Sequence, residues 1–494
     1  MTSSQGEIKR FLQHSGIYTI GNTLNRLGAF LLLPLYTNYL TTAEYGALEL
    51  FYTVAAVVSG ILSVGIAHAT LRFYFEYANE SDRNAVVSTN LIASLAISVA
   101  GATVVLMFGD EINQEFFSSG EYGFALQLVF ASMVLDLSSQ IGFAYLRARE
   151  HSIFFVSLSL GKLIVQVVAN VVLVAHFKAG VEGVLIGNLL AVAAGWIVLV
   201  GFTVRRCGIR FQFGKLIPVL KYSLPFLLST MVSIVTSNVD RFLINELLTL
   251  EILGVYALAL KFAKLISDLI GEPFNRAYGS FRFSIMDRAD AADIQARIVR
   301  YLSALLAFVA LGVIYFTGDL LRLIAAEQYW SAGSLMPLLV LAACLQVLTY
   351  PMQTGVLYQK ATRHIFWIGL AQAVIGVALG YILIRLFGVT GACLSLAVIA
   401  AIGMGLTHRA SQRYFPVHYE YRRLFWILGT LVLFYVASLP LGNLPLVASV
   451  GAKLLLLTGF VLVLLRSPAF SSDEISYART AVRRFLKRSP EAKP

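Results

Sequence analysis

A chain of 494 residues that is 58% hydrophobic and 13% charged, with mean hydropathy +0.76, lies outside the range of water-soluble domains, which are nearer half apolar and a quarter charged. That composition belongs to a polytopic membrane protein. The net charge of +11 raises nucleic acid as a partner, and the placement of the basic residues decides against it.

Residues 1–16, MTSSQGEIKRFLQHSG, read as an amphipathic lead-in. Lys9 and Arg10 precede an apolar run of spanning length with no small-residue cleavage site, so an uncleaved first span is expected. Spanning takes about 20 apolar residues. By that measure fourteen spans follow, near 17–40, 46–68, 87–108, 122–146, 152–176, 181–204, 217–240, 252–275, 299–318, 335–358, 364–387, 389–408, 423–441 and 445–465. The cysteines Cys207, Cys344 and Cys393 are scattered, without C-x-x-C or Cys/His spacing, which argues against a disulfide framework and a zinc site.

With both termini in the cytoplasm, 29 of the 38 Lys and Arg residues fall in cytoplasmic segments, among them Arg205, Arg206, Arg210, Lys215 and Lys221 in the central loop and Arg276 to Arg300 after the eighth span. The opposite side keeps Lys178, Arg322, Arg385 and Lys453 and the acidic loop GDEINQEFFSSGEYG. This is the positive-inside pattern. It accounts for the charge without nucleic acid and implies a multi-pass membrane protein with both termini cytoplasmic. The basic tail, 467–494, reads either as an interfacial helix meeting anionic lipid or as a solvated tail; Ser471 and Glu474 have capping-box spacing.

The sequence also repeats. In NYLTTAEYG (38–46) and ELLTLEILG (246–254), Leu40, Thr41 and Gly46 match Leu248, Thr249 and Gly254 at an offset of 208. GVEG (180–183) and GVTG (388–391) match at 208 again, and REHSIFF (149–155) resembles ATRHIFW (361–367) at 212. The expected organisation is therefore an N-lobe of six spans (17–204), a cytoplasmic loop (205–216), a C-lobe of six (217–409), two added spans within 423–466, and the tail.

On these residues, together with NVDRFLINELLTLEILGVYALALKFAKL, where Asp240 ends the seventh span and Gly254, Tyr256 and Ala259 open the eighth, and YLRAREHSIFF after the fourth, the chain resembles polysaccharide-export and lipid-linked oligosaccharide flippases of the multidrug/oligosaccharidyl-lipid/polysaccharide superfamily over roughly residues 8–415. The resemblance implies an all-α polytopic fold, here about 14 transmembrane helices, with two six-helix lobes around a V-shaped central cavity plus two C-terminal helices. It implies transport without catalysis. Its substrate would be a lipid-linked saccharide, its surroundings membrane lipids, and its partners a polysaccharide polymerase or glycosyltransferases.

Charged side chains inside a span cost roughly 2.5–3.5 kcal/mol on insertion scales, so they usually face a cavity or a partner. Tyr18, Asn22, Asn25 and Arg26 form one stripe of the first span, and Ser229, Ser233, Thr236, Ser237 and Asp240 one stripe of the seventh. In the eighth, Lys261, Lys264, Asp268, Glu272 and Asn275 fall within about 80° at helical spacing. A phosphate-bearing substrate would be bound by Arg26, Lys261 and Lys264, with Lys162, Asn22 and Asn25 as further candidates. Asp240, Arg241, Asp268 and Glu272 are candidates for gating or coupling, Asp268 by pairing with Lys264, and Arg241 is expected to snorkel outward. No metal or cofactor motif occurs; a coupling ion, Na+ or H+, stays open. So do two other readings, a cation-coupled multidrug exporter of the same superfamily and a non-transporting scaffold of a polysaccharide synthesis complex.

Overall fold

In a computed structural model, the described residues are 21, 28, 30–117, 122–443, 445–471, 473, 474 and 476, and there is no strand among them. The helices are α1 (Leu33–Tyr39), α2 (Thr42–Leu62), α3 (Ile66–Glu76), α4 (Glu80–Met107), α5 (Gly109–Phe117), α6 (Gly123–Ala148), α7 (Ser152–Asn170), α8 (Gly180–Cys207), α9 (Phe213–Leu247), α10 (Leu250–Ile266), α11 (Glu272–Ile285), α12 (Ala291–Ile324), α13 (Ala332–Met352), α14 (Thr354–Tyr358), α15 (Arg363–Phe387), α16 (Val389–Gln412), α17 (Tyr421–Ser438) and α18 (Leu446–Arg466). A π turn, Val171–His176, continues α7, and a second, Ser267–Gly271, joins α10 to α11.

Among the described residues, twelve helices are long and apolar enough to cross a membrane. They correspond to twelve of the fourteen expected spans. Of the first expected span, residues 17–20, 22–27 and 29 fall outside the described residues, as do the lead-in and the tail beyond residue 476. The eighth is helical throughout, but every stretch of eighteen residues between 250 and 285 holds at least three Asp, Glu, Lys or Arg. Its charge, not its length, sets it apart. The loop expected at 205–216 is shorter, since α8 runs to Cys207 and α9 starts at Phe213.

The repeat is visible in the backbone. Gly180 and Gly388 both have left-handed φ, 53° and 60°, a conformation glycine adopts without penalty. After α6 and α14, Glu150 and Lys360 are left-handed at φ 57° and 55°. Around them the cap bonds correspond one for one: His151 N–H to Leu146 O and Ala361 N–H to Val356 O, both 2.9 Å, and Glu150 N–H to Arg147 O beside Lys360 N–H to Leu357 O. These are the crossed bonds of a Schellman cap. They set the offset here at 210, not the 212 that side-chain similarity suggests. Each π turn lies where its own half is the longer by two residues: 30 residues separate Glu150 from Gly180 against 28 between Lys360 and Gly388, and 106 separate Gly254 from Lys360 against 104 between Gly46 and Glu150. A π turn closes i→i+5 and so holds one residue more than an α turn, which absorbs part of each excess.

By contacts the chain divides into two compact units, 1–257 with 324–329 and 376–392, and 258–323 with 330–375 and 393–494. In the first unit Ile66, Tyr74, Val87, Ile141, Tyr145 and Val219 build a core. Phe117 of α5 stacks on Phe51 at 4.2 Å. The segment after α8 is fixed on α4, with Arg210 N–H donating to Ser88 Oγ (2.8 Å), Gln212 N–H to Thr89 Oγ1 (3.1 Å), and Lys215 Nζ 2.6 Å from Asp82 Oδ1.

In the second unit α17 and α18 pack on α12 through Ala307, Leu311, Ile427, Phe460 and Leu464. Tyr315 donates its hydroxyl hydrogen to Phe434 O (2.7 Å), and Lys453, itself buried, pairs with Asp319 at 2.7 Å. Arg300, expected in a cytoplasmic loop, is instead 1% exposed inside α12. It pairs with Glu420 at 2.5 Å and with Glu474. The capping box at Ser471 forms: its N–H donates to Glu474 Oε2 (2.8 Å), and Glu474 N–H donates to its Oγ (3.3 Å). Burial raises the Glu474 pKa, but the Ser471 N–H, the Tyr301 hydroxyl and Arg300 outweigh it and hold the carboxyl below its ordinary value.

Candidate functional site

The polar eighth helix belongs mainly to the second unit. Lys261 is partly buried, Lys264 is exposed, and Asp268 and Glu272 are partly buried. The expected Lys264–Asp268 pair does not form. Lys264 has no ion-pair partner among the described residues, and the π turn that starts at Ser267 alters the i,i+4 spacing the pair needs. Glu272 pairs weakly with Arg276 instead, at 3.7 Å. The extra residue also turns the rest of the helix by about 100°. Glu272 stays beside the Lys261–Lys264 face while Asn275 swings away from it. The π turn can lie against α13 because Gly271 has no side chain; a Cβ there would sit 2.7 Å from Val347.

Asp240 lies inside the first unit and is 7% exposed. Its Oδ2 accepts a 2.5 Å hydrogen bond from Tyr256 of α10, and its Oδ1 lies 3.3 Å from Arg241 Nη1. Arg241 does not snorkel. Its side chain folds back to donate to Ser237 O (2.8 Å), within electrostatic reach of Glu49. A guanidinium paired with one carboxylate and attracted by a second gains more by facing inward. The Asp240-Arg241 pair is thus an interior cluster that ties α9 to α10. It sits beside a tight crossing: a Cβ on Gly46 would overlap the Leu250 carbonyl, and one on Gly254 the Thr42 carbonyl.

Lys162 of α7 lies 3.0 Å from Asp136, midway along α6. The pair lines a cavity of about 280 Å³ with Tyr52, Ser59, Gln140 and Asn188. Asn22, Asn25 and Arg26 lie outside the described residues.

Sequence reasoning misses several of these partners. Lys453, inside the last span, demands an acidic partner, and Asp319 supplies it from a helix distant in sequence. Gln140 and Asn188 are carboxamides within expected spans, a signal the sequence does carry. Among the described residues no group of three or more His, Cys, Asp and Glu side chains is arranged to hold a metal.

Residues 37–334 match the family described as "Polysaccharide biosynthesis protein". The chain belongs to that family. No curated protein matches it. Among solved structures it is similar to the lipid II flippase MurJ in an inward closed conformation (TM-score 0.68, 13% identity, 91% of this chain and 98% of that one). It is also similar to an inward-facing multidrug resistance MATE family transporter of the MOP superfamily (TM-score 0.59, 16% identity, 82% and 99%), and to a mutant of the Vibrio cholerae MATE transporter VcmN (TM-score 0.55, 16% identity, 84% and 98%). At such identities the likeness is one of fold. This member of the polysaccharide biosynthesis family has the all-α, multi-pass membrane fold of those transporters.

Proposed function

We propose that the protein is a flippase that carries a lipid-linked, phosphate-bearing oligosaccharide or polysaccharide precursor from the cytoplasmic to the outer leaflet of the inner membrane by alternating access, with both termini cytoplasmic. The observation that carries this reading is a pair of cations, Lys261 and the unpaired Lys264, on a helix of spanning length in a member of a polysaccharide biosynthesis family. An anionic phosphate in the bilayer core loses its hydration, and lysine and arginine replace it with charge-assisted hydrogen bonds. Arg26 is the third proposed cation. Lys162 is not assigned to phosphate, because Asp136 already compensates its charge. Residues 17–204 and 217–409 serve as the two lobes, with Asp240, Arg241, Asp268 and Glu272 in gating or coupling.

Reconstitution tests the reading. Proteoliposomes loaded with a fluorescent polyprenyl-diphosphate saccharide should move it between leaflets, with Na+ or pH gradients varied to find the coupling ion. Efflux of cationic drugs without saccharide movement would favour the multidrug exporter. No translocation of either would favour the scaffold, as would co-purification with a polymerase or glycosyltransferases on top of that failure.

A further inference from the structure

We propose that the cavity between α2, α6, α7 and α8 is a binding subsite for one sugar ring of the translocated saccharide, an assignment that rests on the flippase reading above. Its volume of about 280 Å³ is at the bottom of the range for ligand cavities, which suits a single ring and not an oligosaccharide.

The chemistry of the lining points to hydroxyl groups and not to an anion. Lys162 and Asp136, 3.0 Å apart, sum to no net charge. A phosphate would have to displace Asp136 from Lys162, whereas a neutral polyol can bond to both. Asp136 retains free lone pairs, since its side chain is 51% exposed and accepts one bond from Lys162.

The carboxamides of Gln140 and Asn188 reach the same cavity and hydrogen-bond to none of the described residues. Each offers two donor hydrogens and an acceptor oxygen, the set that pairs with neighbouring ring hydroxyls. Tyr52 also lines the cavity.

The hydroxyls nearby behave differently. Ser59 donates to Ala56 O (3.1 Å) and Ser132 to Leu128 O (2.9 Å), each within its own helix, as structural serines do. Gln140 and Asn188 hold no part of the fold together, and polar groups at membrane depth are costly unless they serve a function. Binding a ligand accounts for them.

The test uses the full chain in lipid nanodiscs and a panel of methyl glycosides (glucoside, galactoside, mannoside, N-acetylglucosaminide, rhamnoside) at millimolar concentration, read by saturation-transfer NMR. At least one glycoside should bind and should inhibit translocation of the lipid-linked saccharide by the wild-type protein. Gln140→Leu and Asn188→Leu, apolar changes that leave the packing of the span intact, should weaken that binding at least tenfold, while Thr458→Val, on the exposed side of α18, leaves it as in the wild type. The subsite is refuted if the wild type translocates and no glycoside binds or competes. It is equally refuted if both Leu variants bind glycoside as the wild type does, or if the cavity responds to Na+ or pH alone. In those outcomes the flippase reading stands. If the wild type translocates no lipid-linked saccharide, that reading fails and takes the subsite with it.

Discussion

Helices α2 and α10 begin with the same device, 208 residues apart, and then diverge. Each starts after a threonine, Thr41 or Thr249, whose hydroxyl accepts a hydrogen bond from the amide three residues on. Each carries a glycine, Gly46 or Gly254, whose missing Cβ lets the two backbones touch, Gly46 over Leu250 and Gly254 over Thr42. Beyond that crossing α10 runs into Lys261, Lys264 and Asp268, where the equivalent positions on α2 hold Thr53, Ala56 and Gly60. The Asp240-Arg241 pair is equally one-sided, since positions 32 and 33 are both leucine and buried. The backbone of this repeat can be built without the charges, so the second half carries them for another reason than fold.

That conclusion can be broken at Asp240. Asp240→Leu alone leaves the partly buried Arg241 without its partner, and should destabilise the protein by up to about 3 kcal/mol in thermal unfolding in detergent. The triple variant Glu49→Ala, Asp240→Leu, Arg241→Leu copies the residues at 257, 32 and 33. It should recover most of that loss, because apolar groups often replace a buried ion cluster at no cost, and yet fail to transport. A triple variant that is stable and transports normally would remove the cluster from the mechanism.

At the second charged region, Lys261→Gln and Lys264→Gln should each lower transport at limiting substrate about ten- to a hundredfold, the loss of a charge-assisted contact of about 1.5–3 kcal/mol. Thr53→Val, at the position that Lys261 occupies in the other half, should stay within about twofold. Equal losses at both positions would mean that the lysines act through helix packing and not through charge.

The glycines sharpen the shared part of the comparison. Gly46→Ala and Gly254→Ala each force a backbone apart, an overpacking cost of about 1–3 kcal/mol. Because the contact is reciprocal, the two losses should be similar, and the double variant should lose less than their sum, since one separation relieves both clashes. Additive losses in thermal unfolding would show that the helices yield independently.

Much of this architecture is legible in the residues themselves. Apolar run length locates the twelve spans, and matched glycines point to the repeat, because both depend on local chemistry. Pairing between distant positions is not legible in the same way. Lys453 with Asp319 and Arg300 with Glu420 and Glu474 are 134, 120 and 174 residues apart, and no local pattern joins them. The π turns are hidden as well, since a helix with one extra residue in a turn has no composition of its own. They surface only as a change of offset along the repeat, from 208 at Gly46 to 210 at Glu150 and back to 208 at Gly180. A regular α-helix over the eighth span therefore misplaces Asn275 and predicts a Lys264–Asp268 pair that the π turn prevents.

The smallest expected effect lies at the very start of the two helices. Thr41 and Glu44 form a complete capping box: Glu44 N–H donates to Thr41 Oγ1 at 3.2 Å, and Thr41 N–H donates to Glu44 Oε2 at 2.8 Å. In the second half the residue three along is Ile252, and only the longer bond, Ile252 N–H to Thr249 Oγ1 at 3.4 Å, remains. Thr41→Ala removes the cap and strands the glutamate, which should cost about 1 kcal/mol, whereas Thr249→Ala should cost about 0.5 kcal/mol. Ile252→Glu would supply the missing reciprocal bond and slow amide exchange in the first turn of α10, while the same turn of α2 stays unchanged. Hydrogen exchange of the two first turns, read side by side in wild type and variants, measures the difference directly. If Thr249→Ala opened α10 as much as Thr41→Ala opens α2, the glutamate would contribute nothing. The two helix starts would then be equivalent in energy as well as in backbone, and the divergence would begin only beyond the glycines.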